Sequence, residues 1–138
     1  DGTRLRVTSG IVSLEGSGGR ATTTLVPRGA EARVRAGAEP ELPFSTTASS
    51  AFRAAAAAGD VDVVVQRARA EDAVTLWHLV SRSDGAARVG YADALVAALG
   101  GAANVDALDV DAVRAGDDAA LDAVFDRVRA TLIAPWER

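Results

Sequence analysis

His78 is the only histidine in the chain, and imidazole is the side chain best suited to moving a proton near neutral pH. Asp72, Ser81 and Asp84 lie close enough in sequence to supply the carboxylates and hydroxyl of a small hydrolase with His78 as base. The competing reading is structural. His78 follows Trp77, and its neighbours at helical spacing are Val74, Thr75, Ser81 and Arg82. A histidine at the border of an apolar helix face is normally satisfied by local hydrogen bonds, and this is the preferred reading. No metal is expected at His78, because the chain has no second histidine and no cysteine.

Three other groupings invite a chemical reading. Gly16-Ser17-Gly18-Gly19 has the glycine content of a phosphate loop, but it lacks the lysine and the following helix that such a loop requires, so it reads as a hairpin turn. Thr22, Thr23 and Thr24 offer hydroxyls without a neighbouring His, Lys or buried carboxylate to activate them; they read as strand residues. Asp106, Asp109, Asp111, Asp117 and Asp118 form an acidic run. Ala107, Val110 and Val113 interrupt it and no Glu closes it, so it does not match a calcium loop. Helix capping accounts for Asp109 and Asp117. Spacing alone leaves paired-carboxylate glycoside hydrolysis open, but no aromatic platform for a sugar accompanies these residues. No cofactor is expected.

The elements that must carry these residues change period along the chain. Leu5 and Val7 alternate with Arg4, Arg6 and Thr8, which predicts a strand. Ser9-Gly10 turns the chain into Ile11 to Leu14. A Thr-rich strand covers 20–26, Pro27-Arg28-Gly29 turns again, and the last strand covers 30–35 with Ala30, Ala32 and Val34 inward. Residues 36–47 hold Pro40 and Pro43 and read as a linker, with Phe44 as an anchor.

From Ala48 the spacing predicts helices. One runs to Ala58 after a cap at Ser45, Thr46 or Thr47 and stops at Gly59. A second starts after Asp60, with Val61, Val64, Val65 and Ala68 on its face. The strongest signal is Glu71 to Arg82, where Ala73, Leu76, Trp77 and Val80 share a face. A helix over 86–99 presents Val89, Ala92, Leu95, Val96 and Leu99. The last begins at Asp117 or Asp118, presents Leu121, Val124, Phe125, Val128 and Leu132, and ends at Pro135-Trp136. The expected core is Leu76, Trp77, Val80, Leu95, Leu121 and Phe125. Phe44 and Trp136 are candidates for contact with another protein.

The fold class that follows is α+β: a small antiparallel β unit, partly jelly-roll-like, at 1–36, a proline-containing linker at 37–47, and a bundle of short helices at 48–138. Alanine carries most of the 49% hydrophobic content and aromatics only 4%, so the core must rely on close helix contacts and a few large anchors. Every basic residue is arginine, and the net charge of -4 argues against a nucleic-acid partner. No apolar run approaches a membrane span, which takes roughly 20 residues. A chain opening at Asp1 reads as a mature fragment or an excised region, so any membrane segment is expected outside it.

The β part also resembles a known family. Gly2-Thr3-Arg4, Val7, Gly10, Val12, Leu14, Gly19, Leu25, Gly29 and Val34 resemble the closing strands of a FecR-type domain. Ser9-Gly10-Ile11-Val12 stands at its second motif and Leu25 to Gly29 at its third. Leu5 replaces the usual aromatic, Ser9 the usual acid, and one extra residue separates Leu25 from Gly29. The segment around DAVTLWHLVSR is similar to alanine-rich C-terminal extensions of such proteins. The resemblance implies an exported, periplasmic or envelope portion of a membrane-anchored protein. Its implied role is non-enzymatic protein interaction or signal relay, with a protein partner such as an envelope receptor or transporter component. A small hydrolase built on His78 is the alternative.

Overall fold

A computed structural model describes residues 2–16, 23–35, 37–101 and 110–132. The fold is α+β. Strands β1 (Gly2–Arg6), β2 (Ile11–Leu14), β3 (Thr24–Pro27), β4 (Ala30–Arg35) and β5 (Phe44–Ser45) precede helices α1 (Ser50–Ala58), α2 (Val61–Arg67), α3 (Ala73–Arg82), α4 (Gly85–Ala98), α5 (Val110–Arg114) and α6 (Asp118–Ala130).

The first four strands form one antiparallel ribbon folded at a corner. β1 pairs with β4 and β2 pairs with β3. Arg6 faces Glu31 and Ile11 faces Pro27, so the outgoing side carries one more residue between these pairs than the returning side. An extra residue on one side bends a ribbon, as a β-bulge does. Gly10 (φ 69°) and Gly29 (φ 90°) sit at the corner in the left-handed region, where glycine escapes the Cβ clash. The bonds Val7 N–H to Ala30 O, Gly29 N–H to Val7 O and Arg28 N–H to Gly10 O carry the pairing across it.

The segment read from sequence as a linker contributes β5, which adds to β4 through the pairs Ala30–Ser45 and Glu31–Phe44. Sheet order is therefore β1-β4-β5. Its two prolines are buried rather than exposed as in a solvated tether. The core is continuous from ribbon to helices: Val7, Val26, Ala30 and Ala32 belong to the same buried cluster as Phe52, Leu76, Trp77, Leu95 and Leu121.

At the centre is α3. A 3-10 turn, Ala70–Asp72, precedes it, so the regular helix starts later than its sequence pattern predicts. Every residue from Ala73 to Val80 is buried, not one face alone. It packs against α4, α6 and β5. The Trp77 indole donates to Leu121 O at 2.9 Å and meets Phe125 edge-on at 4.8 Å. Leu76, Val80, Leu95, Leu121 and Phe125 are also buried.

Caps set the helix boundaries. Ser49, rather than the earlier hydroxyls, accepts from Phe52 N–H to start α1; Asp60 accepts from Val63 N–H and Asp117 from Ala120 N–H. Gly59 closes α1 at φ 73°. Two expected inward valines point outward: Val65 is 45% and Val89 40% exposed. Tyr91 and Ala94 take the inward positions on α4 instead. Gly90 lets α4 approach α2 closely, since a Cβ there would stand 2.9 Å from Val61 Cγ1. Trp136, Asp106 and Asp109 lie outside the described residues.

Trp77→Ala is expected to cost about 3–5 kcal/mol, from lost burial and the cavity left behind. Urea denaturation of the variant against the parent measures this; a midpoint equal to the parent's would remove Trp77 from the centre of the core.

Candidate functional site

The polar groups of α3 form a second stripe, separate from its apolar one. Thr75, His78 and Arg82 recur at offsets of three and four and therefore point the same way. All three reach the β part. Thr75 Oγ1 donates to Pro43 O at 2.7 Å. Arg82 Nη2 donates to Thr24 Oγ1 at 2.6 Å, and Thr24 Oγ1 in turn donates to Glu41 O at 3.0 Å.

His78 is the middle member. It is fully buried, with Nδ1 2.7 Å from Val74 O and Nε2 accepting from Leu25 N–H at 2.9 Å. A carbonyl can only accept, so Nδ1 carries the proton and the ring is neutral. Burial pushes its pKa down to about 3, against an opposing pull from the Val74 carbonyl; the nearby Arg82 charge lowers it further. Leu25 pairs with Ser13 of β2 on one side. The imidazole thus serves the N–H that β3 turns toward the helices.

This geometry leaves His78 without a free nitrogen. Nor are the other hydrolase candidates gathered around it. Ser81 Oγ donates back to Trp77 O at 3.1 Å. Asp84 is exposed just before α4. Asp72 is buried and turns toward Arg69: its Oδ2 accepts the Arg69 backbone N–H at 2.9 Å, while Oδ1 has no hydrogen-bond partner. Burial raises the Asp72 carboxyl above the usual range, although the Arg69 N–H and charge oppose the shift.

In the acidic segment, Asp111 pairs with Arg114 at 3.2 Å and Asp117 is a helix cap. Among the described residues no group of three or more His, Cys, Asp or Glu is placed to hold a metal ion. No helix among them is long and apolar enough to cross a membrane.

A further cluster was not singled out from sequence. Glu31, on β4, is buried and gripped from two sides. Arg6 approaches Oε1 through Nε at 3.2 Å and Nη2 at 3.1 Å, and Arg53 Nη1 approaches Oε2 at 2.9 Å. Arg53 also donates to Ala48 O and Ser45 O, and its guanidinium lies 5.2 Å from the Phe44 ring centre. Burial pushes the Glu31 carboxyl up, but the hydrogen bonds and charges of Arg53 and Arg6 outweigh it and hold the group below its ordinary value. The clasp ties β1, β4, β5 and α1 together. Phe44 stands beside it, half-buried and edge-on to Phe52 at 6.3 Å. The available signal was Glu31 as the lone acid in a strand face of arginines.

His78 gives a pH dependence with a definite sign. Its folded-state value of about 3 lies below the ordinary 6.5, so the unfolded chain takes up the proton first. The stabilisation is whole above pH 6.5 and is lost as pH falls toward 3. At pH 5 the expected loss is about 2 kcal/mol. In His78→Gln that loss should vanish, although the variant is less stable at pH 7 by about 1–3 kcal/mol through imperfect replacement of the buried bonds. Denaturation of both proteins at pH 7 and pH 5 checks this; equal pH dependence would mean that the ring is not held neutral.

No family model matches the chain, and comparisons with characterised proteins and with solved structures returned no match.

Proposed function

We propose that this chain is a non-enzymatic protein-interaction or signal-relay module of a bacterial envelope protein of FecR-like type. The observation that carries the interaction reading is the outer edge of β1. Gly2–Arg6 pairs with β4 on one side, and no described strand covers the other. Thr3 and Arg4 on that strand are exposed. An open edge offers unpaired N–H and C=O groups to a further strand, a common route of protein association. The envelope and relay parts of the proposal rest on the strand motifs given above.

The internal bonds of the chemically versatile side chains favour the same reading over a hydrolase. A base must reach substrate, and His78 is sealed between Val74 and Leu25.

A photo-crosslinking residue at Thr3 should capture a defined envelope protein in cells, whereas the same residue at Gln66, exposed on α2, should not. Equal labelling from both positions would remove the β1 edge as a contact. Specific substrate turnover by the purified chain, abolished in a folded His78→Gln variant, would replace the module reading with the hydrolase.

A further inference from the structure

The chain is acidic overall, with a net charge of -4, yet one face of its sheet is cationic. Side chains alternate along a strand, and directly paired residues share a side. Arg4 faces Arg33, Arg6 faces Glu31 and Gly2 faces Arg35, so Arg4, Arg6, Arg33 and Arg35 lie on the side of Glu31. The other side carries Ala30 and Ala32 into the core. Arg53 joins the cationic side from α1.

The acids described on this face do not balance it. Glu31 is shared by Arg6 and Arg53, and Glu41 pairs with Arg35 at 3.2 Å. The side chains of Arg4 and Arg33, both exposed, have no ion-pair or hydrogen-bond partner among the described residues. Two like charges directly opposite on a ladder repel each other, which costs stability unless an anion lies between them. Beside the pair is a cleft of about 120 Å³, lined by Arg4, Arg33, Arg53, Phe44 and the already engaged acids Glu31 and Glu41 among others.

We infer that this face receives an extended acidic segment of a partner protein, added as a strand to the open edge of β1 with Glu or Asp at alternate positions. The inference rests on the interaction-module reading and names the partner's chemistry. A strand laid antiparallel or parallel to β1 continues the pleat, so every second side chain falls on the arginine side. Guanidinium groups engage carboxylates with two parallel hydrogen bonds, and Arg4 and Arg33 have that capacity unused. The period of two matters as much as the charge: a block of consecutive acids would send half of them to the opposite side.

The test uses fluorescence anisotropy with a labelled peptide alternating Glu and Thr. The comparison peptides are one alternating Gln and Thr, and one of the same composition with its Glu residues in a block. The alternating acidic peptide should bind best, and its affinity should fall with added salt. Arg4→Gln with Arg33→Gln should weaken it by about tenfold or more. Arg67→Gln, on exposed α2, should leave it unchanged. The double variant keeps the Glu31 clasp, and an unchanged thermal melt confirms that it folds.

Equal binding of the Gln peptide or of the block peptide, or unchanged binding by the double variant, would overturn the inference. So would inorganic phosphate or anionic phospholipid vesicles competing as well as the unlabelled peptide does, since either would show a general anion site. If the acidic peptide fails while crosslinking from Thr3 still captures a partner, the acidic-strand claim falls and the interaction module stands. If both fail, both fall.

Discussion

The contact between His78 and Leu25 is the constraint on which the joining of strands to helices depends. A strand N–H facing a helix bundle has no ladder to enter, and left bare in the interior it would cost on the order of 1–3 kcal/mol. Here Nε2 of a buried imidazole accepts it. The other ring nitrogen must then donate, and Val74 O one helical turn back lies ready for it. One residue thereby fixes the tautomer, the rotation of α3 and the distance of β3. Thr75 and Arg82, on the same stripe, repeat the arrangement toward Pro43 and Thr24. The helix is buried on all sides because one side meets apolar neighbours and the other meets backbone polar groups that its own side chains satisfy.

The ribbon depends on this arrangement because it has little core of its own. Its inward side chains are small, Ala30 and Ala32 among them, and a few strands with little apolar area are marginal in water. Three things compensate. Its inner face enters the helical core, β5 widens the sheet, and the Glu31 clasp links strands to α1. A buried carboxylate flanked by two guanidiniums gains less than its Coulomb attraction, since desolvation offsets much of it. What the clasp supplies is geometry: Arg53 reaches Ser45 O and Ala48 O as well as Glu31, and so holds the chain where it passes from sheet to helix.

The α+β class was legible in the sequence because the two periods occupy different parts of the chain. The buried anchors Trp77, Leu76, Leu95, Leu121 and Phe125 were legible for the same reason, and Asp60 and Asp117 were legible as caps. Strand β5 was not. Two prolines dominate the local signal, and pairing with β4 is a tertiary event that no local pattern encodes. Val65 and Val89 misled because each lies at helical spacing from truly buried residues, and only the neighbours' positions decide which edge of a stripe is covered. Periodicity places His78 at a boundary because it assigns faces by hydrophobicity. It cannot recognise a polar stripe that is buried against backbone. Thr75, His78 and Arg82 at common spacing, opposite the Trp77 side, carried that information, but it becomes readable only once a strand is known to lie there.

The same principle separates the interior of this molecule from its surface. Inside, most polar groups are matched to one another, Asp72 Oδ1 and Arg82 Nε excepted: His78 to two main-chain partners, Ser81 to Trp77 O, Thr24 between Arg82 and Glu41. Such matching raises the cost of moving any of these groups and removes them from chemistry with a ligand. On the outer face of the sheet the matching stops. Arg6 and Arg53 have Glu31, Arg35 has Glu41, and the facing pair Arg4 and Arg33 has no acid among the described residues. In water that repulsion is weak enough to tolerate, so the face persists in the free protein. It weakens further only when negative charge arrives from outside, which makes the unmatched pair, rather than the buried histidine, the place where this fold has interaction energy left to give.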